Sequence, residues 1–301
     1  MLTRILVSLD GTTFSEQARP WAVSLARRSG ASINLATVEV PPPTAFPDVN
    51  FITPLMDAEF AYLDALAERV RAAGIEDVTT NVLTGNAPEA LEIHRQAIAA
   101  DMTVMATHGR GPLARSWLGS VADHFARETA APVLMVRPAD DVTEVDLTEL
   151  PSADNIVLTL DGSALSESAV EPTVSIAGLY DAHVTVVRLV EYPNRTESVY
   201  LPDAIDAIEE RLDEARVATH DELTRVAAGL RDRVGGGVDA ETRVVIHAAE
   251  GILDIVHERG ADMVAMASHG RGGVRRMVLG SVTDKVLRAS DRPVLIIRSE
   301  H

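Results

Sequence analysis

ILVSLDGTTFSEQA, residues 5–18, reads as a buried strand that breaks on an aspartate-glycine turn and passes directly into a helix. The run ILVSL supplies the strand, Asp10-Gly11-Thr12 ends it, and Ser15 is expected to cap the helix, with acidic residues in its first turn. The same unit returns as IVLTLDGSALSESA at 156–169, with Asp161-Gly162-Ser163 at the turn and Ser166 as the matching cap. Two further segments recur. ADMTVMATHGRG (100–111) matches ADMVAMASHGRG (261–272), and PVLMVRP (132–138) matches PVLIIRS (293–299). The chain is therefore one unit written twice, and the repeat decides the architecture.

Inside each copy, short apolar runs alternate with longer segments of helical period, the pattern of a parallel sheet with crossover helices. The first copy gives strands near 4–9, 32–38, 78–83, 101–106 and 132–137. In the second copy Ile205, Ile208, Leu212, Ala215, Thr219, Leu223, Val226 and Leu230 step by three and four residues, one helical stripe expected to pack on the sheet. The fold class is α/β: two tandem doubly wound domains, 1–140 and 153–301, each a five-stranded parallel sheet flanked by helices. Between them PADDVTEVDLTELPSAD, 138–154, is acidic with proline near both ends and reads as an exposed linker.

A chain of 301 residues accommodates two such domains. Cysteine is absent, which removes disulfides, thiolate chemistry and cysteine-type zinc sites. A formal charge of −18 opposes nucleic acid or an anionic membrane as the main partner. No apolar run is long enough to span a bilayer, and the chain is read as cytoplasmic. The only lysine is Lys285, and no P-loop pattern accompanies it.

In a doubly wound sheet, ligands sit beyond the carboxyl ends of strands where the winding reverses. That rule selects the loops that start at Asp10 and Asp161 and those that start at Ala106 and Ala267. In the latter, Gly109 precedes Gly119-Ser120 by the same spacing that separates Gly270 from Gly280-Ser281, and a helix follows each pair. Glycine before a helix lets a ligand approach main-chain N–H groups at the positive helix end, where phosphate oxygens are favoured. Arg110, Arg115, Arg271, Arg275 and Arg276 add local positive charge. Capping accounts for the serines but leaves Asp10 and Asp161 without a role, and an aspartate there can accept from a ribose or an adenine amino group. His108 and His269 read as loop-ordering residues, since neither a metal set nor a catalytic triad stands beside them.

These motifs together resemble a tandem universal stress protein, with ATHG…GSV and ASHG…GSV as the carrying signature. The resemblance covers all but the linker and the variable middle segments. It implies that Asp10 and Asp161 contact a nucleoside, that Val38 and Leu189 flank adenine, and that Met105 and Met266 line the base pocket. Gly109, Gly119, Ser120 and Val121, with Gly270, Gly280, Ser281 and Val282, would hold ribose and phosphates. Both copies depart from the family pattern at its first glycine, which is Ala106 and Ala267 here.

The resemblance implies an ATP-binding regulatory protein of the stress response, with magnesium accompanying the nucleotide, no catalytic residues and slow or no hydrolysis. The alternative is a nucleotide-free structural or interaction module of the same fold. A transferase of related topology is disfavoured, because the chain carries no activating histidine pair and no P-loop lysine. The last strands of the copies would otherwise leave open sheet edges, so intramolecular pairing of the domains is expected, with homo-oligomers beyond it. The first copy is expected to be the tighter site. It alone has a glycine-to-proline turn in LTGNAPEAL (83–91) and the proline-rich PPPTAFPDVNFITP after its second strand.

Overall fold

The computed structural model of the chain describes residues 2–39, 49–107, 118–192, 202–268 and 279–298, with backbone alone over 49–55 and 202–207. Two compact units result, one of Met1–Ser152 with Pro293–Glu300 and one of Ala153–Arg292.

The first unit runs β1 (Arg4–Leu9), α1 (Thr13–Glu16), α2 (Arg19–Ser29), β2 (Ser32–Glu39), α3 (Val49–Ala72), β3 (Val78–Thr84), α4 (Ala87–Ala97), β4 (Met102–Ala106), α5 (Ser120–Glu128) and β5 (Val133–Val136). Its strands lie in the order β3-β2-β1-β4-β5, so the winding reverses between β1 and β4. All these pairs are parallel, with Leu9 opposite Thr37, Val7 opposite Val104 and Ala106 opposite Val136. Ile5, Leu6, Val7, Leu35, Val104 and Leu134 are fully buried. Consecutive buried positions along β1 mean that both faces of the sheet are covered, as parallel sheets require.

The second unit repeats the plan: β6 (Asn155–Thr159), α6 (Ala164–Glu167), α7 (Val170–Tyr180), β7 (His183–Glu191), α8 (Pro202–Leu230), β8 (Val238–Val245), α9 (Ala248–Glu258), β9 (Met263–Ala267) and α10 (Ser281–Ala289). Its strand order is β9-β6-β7-β8. The fifth strand of the second copy, β10 (Val294–Ile297), belongs to the first unit, where it runs antiparallel to β5 with Val294 opposite Met135 and Ile296 opposite Val133.

The stripe on α8 is buried only in its C-terminal half, at Leu223 and Leu230; Val226 is half-buried and its neighbour Ala227 takes the buried place. Ala215 is exposed, and the side chain of Ile205 lies outside the described residues. Length explains the difference: a 29-residue helix is about 43 Å long and an eight-residue strand about 26 Å, so the helix outruns the sheet beneath it. The turn into β8 needs glycine for a separate reason. A Cβ on Gly236 would stand 2.3 Å from the Asp181 carbonyl oxygen, a backbone atom that cannot step aside.

The linker corrects the sequence reading in part. Most of it is exposed, but it is docked on the first unit rather than loose. Gln17 donates to the Ala139 carbonyl (2.9 Å) and accepts from the Ala139 N–H (2.8 Å). Arg69 pairs with Glu144 (2.5 Å), Ser24 donates to the Pro151 carbonyl (2.6 Å), and Val145 is 4% exposed. One buried valine and four such contacts outweigh the solubility of the acidic residues around them. Among the described residues no helix is long and apolar enough to cross a membrane.

Candidate functional site

The carboxyl edge of each sheet is organised by the loop after the first strand. The Asp10 carboxylate accepts from the Thr12 N–H (3.0 Å) and hydroxyl (2.5 Å), and the Thr12 hydroxyl then accepts from the Ser15 N–H (3.2 Å). Thr12 is therefore the N-cap of α1, and Ser15 is buried inside the first turn, where its hydroxyl accepts from the Asp10 N–H and donates to the Thr12 carbonyl. The second copy is the same, with Asp161, Ser163 and Ser166 in those places. Two sequence readings change. The caps sit three residues earlier than expected, and the aspartates gain a local role, since each orders its own loop through the cap residue. A D-G-[ST] turn carries that signal in sequence, the aspartate two residues ahead of the hydroxyl.

Parallel register places the neighbouring strand ends beside this loop. Leu9 is opposite Thr37, which sets Asp10 and Val38 side by side, and both residues are half-buried. Leu160 continues the ladder by donating to the Val187 carbonyl (2.8 Å), which sets Asp161 near Leu189. Met105 and Met266 are 2% and 3% exposed, floor rather than rim. Ala106 is half-buried while Ala267 is 7% exposed.

The helix after the fourth strand of each copy begins on glycine. The Gly119 N–H donates to the Thr107 carbonyl (2.8 Å), and Gly280 donates to Ser268 in the same way (2.8 Å). These bonds bring the start of α5 and α10 against the ends of β4 and β9. Each glycine is an N-cap with no side chain to offer, and the first intrahelical bonds are made by Asp123 and Asp284. Among the described residues no side chain caps the N–H groups of Ser120, Val121 and Ala122, or those of Ser281, Val282 and Thr283. The acidic residue in each first turn is matched on its own helix, Asp123 by Arg127 and Asp284 by Arg288, through paired bonds of 2.8 and 2.9 Å respectively. That pairing offsets negative charge where an anion would otherwise be repelled.

Gly119 and Gly280 have φ of −61° and −56°, so neither uses glycine's access to positive φ. What glycine contributes there is the missing side chain. Gly109, Gly270, His108, His269 and the loop arginines Arg110, Arg115, Arg271, Arg275 and Arg276 lie outside the described residues, as does most of the proline-rich segment after β2.

The copies differ around this shared frame. In the first, Asn86 caps α4, with Gly85 at φ 122° before it and a proline in the first turn. In the second, His247 starts α9 without a side-chain cap, and the Thr283 hydroxyl donates to the Ala267 carbonyl (3.0 Å), where the first copy has Ala122. A buried arginine also sits in each copy. Arg19, fully buried on α2, reaches Glu16 (2.5 Å), which also accepts from the Tyr62 hydroxyl (3.2 Å). Arg188 on β7, 8% exposed, pairs with Glu222 of α8 (2.9 Å). Burial lowers the Arg19 guanidinium from its usual value against the pull of Glu16, and burial together with Glu16 raises the Tyr62 phenol. These residues were not singled out in the sequence, because a charged residue reads as solvent-facing unless its partner is visible beside it.

The sequence matches the universal stress protein family over residues 1–137 and again over 153–298. A universal stress protein of Mycobacterium tuberculosis (strain ATCC 25618 / H37Rv) is 27% identical over 309 aligned positions, covering 98% of this chain and 96% of its own. One from Bacillus subtilis (strain 168) is 30% identical over 155 positions, 48% of this chain and 99% of its own. Among solved structures, a universal stress protein from Archaeoglobus fulgidus DSM 4304 superposes with a TM-score of 0.68 at 18% identity, covering 98% of both chains.

Proposed function

The chain belongs to the universal stress protein family, and from that premise we propose that it is a regulatory adenine-nucleotide-binding protein of the stress response, cytoplasmic, with slow or no hydrolysis of ATP. One observation carries the reading. In both units a helix opens on glycine with its first N–H groups uncapped among the described residues, tied by a 2.8 Å bond to the strand end that the aspartate loop adjoins. Main-chain donors at a positive helix end, a serine hydroxyl and no side chain at the approach suit phosphate oxygens. Asp10 with Val38, and Asp161 with Leu189, are assigned to ribose and base. Gly109 and Gly270 are assigned with them to the phosphates. Among the described residues no three His, Asp or Glu side chains converge as a metal set, so magnesium would arrive with the nucleotide.

A nucleotide-free structural role is favoured for the second unit by two details: Ala267 is buried, and its carbonyl is already bonded by Thr283. The first unit has the open Ala106 and the capped turn at Asn86, which supports it as the tighter site. The antiparallel register of β10 on β5 supports pairing of the copies through their last strands, with association of whole chains beyond that. Equilibrium dialysis of the intact protein against ATP and magnesium tests the main reading: retention near one equivalent or more is expected, and none would overturn it. Residues 1–140 and 153–301, prepared separately, are expected to associate on mixing. Two persistent monomers would remove the pairing.

A further inference from the structure

The two site loops are alike, yet the residues that hold them in place are not. Glu16 ends α1 and Gln17 follows it, directly after the turn that Asp10 and Thr12 build. In the first unit both side chains are committed to distant elements. Glu16 takes Arg19 from α2 on one oxygen and Tyr62 from α3 on the other. Gln17 clamps the main chain of Ala139 with a donor and an acceptor, 122 residues away in sequence. The linker so held is also fixed to α3 by Arg69 and to α2 by Ser24. The short helix α1 is thus gripped from two sides, by α3 and by the linker.

The corresponding positions in the second unit are Glu167 and Ser168. Among the described residues the Glu167 carboxylate makes no ion pair or hydrogen bond. Val170 stands where Arg19 would be needed, and Glu222, which aligns with Tyr62, is turned to Arg188 instead. The Ser168 hydroxyl folds back onto the Leu165 carbonyl of its own turn (2.6 Å). The second loop has the same internal bonds, and among the described residues Glu167 and Ser168 give it none of this outside support.

We propose that Glu16 and Gln17 are positioning residues that fix the Asp10 loop between α3 and linker 138–152, so that ligand occupancy of the first unit and docking of the linker reinforce each other, while Glu167 and Ser168 give the second unit's loop no such tie among the described residues. The coupling to ligand rests on the nucleotide reading above; the support of the loop by the linker does not. Linkage makes the effect reciprocal: if a docked linker favours the ligand, the ligand favours a docked linker by the same factor.

Hydrogen exchange of the full-length protein, wild type and Gln17→Ala, separates the two parts. Without nucleotide, losing the clamp is expected to speed exchange of the Ala139 amide by roughly tenfold, and that of the Thr12 and Ser15 amides by several-fold, with the Ser163 and Ser166 amides unchanged. Faster exchange at Ala139 with no change at Thr12 and Ser15 would overturn the proposal whatever the protein binds. With saturating ATP, wild-type protein is expected to slow at Ala139, and Gln17→Ala to bind more weakly at the first site alone, while Gln17→Asn recovers little because its side chain is one methylene short. If ATP binds the first site and leaves Ala139 unmoved, the coupling is wrong. If ATP binds neither site, the nucleotide reading fails, and the apo result still decides whether the linker supports the loop.

Discussion

Replacing Glu16 by Gln should damage the first unit more than replacing Arg19 by Leu, and the structure sets the size of the difference. The Arg19 side chain is fully buried, its Nη2 rests on Glu16 at 2.5 Å, and its Nε and Nη1 have no hydrogen-bond partner among the described residues. Glu16 is the better served of the two: its side chain is 15% exposed and it also accepts from Tyr62. Removing the Glu16 charge strands a buried guanidinium with no counter-ion, at a cost of about 3–5 kcal/mol. Arg19→Leu leaves a carboxylate that retains the tyrosine and a path to water. It also deletes two unmet donors and retains most of the apolar stem, so its cost should stay under about 2 kcal/mol. The double variant should lie near Arg19→Leu alone, because Glu16→Gln has no charge left to strand. Both tryptophans, Trp21 and Trp117, lie in the first copy, and Trp21 is in α2 beside Arg19, so tryptophan fluorescence in urea reports this unit selectively. With an m value of about 2 kcal/mol/M the midpoint should fall by ~2 M for Glu16→Gln and by less than ~1 M for Arg19→Leu. Equal losses, or a greater loss from Arg19→Leu, would mean that Arg19 is not an under-compensated buried cation, and the reasoning would fail.

Three other outcomes are expected. Burial lowers the His94 imidazole, whose Nε2 lies 3.0 Å from the Asn34 side-chain oxygen, so on acidification the unfolded chain takes up this proton first; the first unit should lose stability as pH falls below about 6.5, and His94→Gln should flatten that part of the urea-midpoint profile. Gly119→Val should abolish most ATP binding with the fold intact, since a valine tolerates φ −61° and ψ 150°, and calorimetry should find a smaller loss for Gly280→Val and no loss for Ala106→Gly. Gly236→Ala should destabilise the second unit by roughly 2–4 kcal/mol in a circular-dichroism melt, because its Cβ would meet the Asp181 and Ala182 backbone at 2.3 Å.

The strands and their order at the switch point were legible because a parallel sheet imposes short apolar runs at regular intervals, and the repeat supplied each of them twice. β1 occupies the expected residues, and the other strands of the first copy differ by a residue or so at their ends. The glycine-started helices were legible for the same reason. What the pattern hid were side chains whose partners are remote in sequence. Glu16 has Arg19 only three residues away, but its second partner, Tyr62, is 46 residues off on α3, and each of the three looks solvent-facing when read locally. Asparagine on β2 gives the same lesson: Asn34 is 2% exposed and satisfied by Thr79, Asn81 and His94, none of which is near it in sequence. The linker's exposure was legible but its docking was not, because composition reports average solubility, whereas docking depends on single contacts such as Gln17 with Ala139.

The way the copies diverge bears on what the shared loops are for. Packing does not force the interiors to match: the first unit buries Arg19 against Glu16 where the second has valine, and the second buries Arg188 against Glu222 where the first has Thr37 and Tyr62. Beneath α4 the first unit places Asn34 and Asn81 against His94 of that helix, while beneath α9 the second has Glu241 engaged by Arg243 and Arg259. A fold that accepts such exchanges of buried charge could accept many sequences at an exposed strand end. The Asp-Gly-hydroxyl turn and the glycine-started helix are nonetheless the same in both units, down to the bond from Gly119 to Thr107 and its twin from Gly280 to Ser268. Since α2 and α7 begin without side-chain caps and are stable through packing, capping alone does not demand that geometry. Loops kept alike beside cores left free to diverge are what the proposed nucleotide reading expects of the sheet's carboxyl edge, with the first unit as the tighter site.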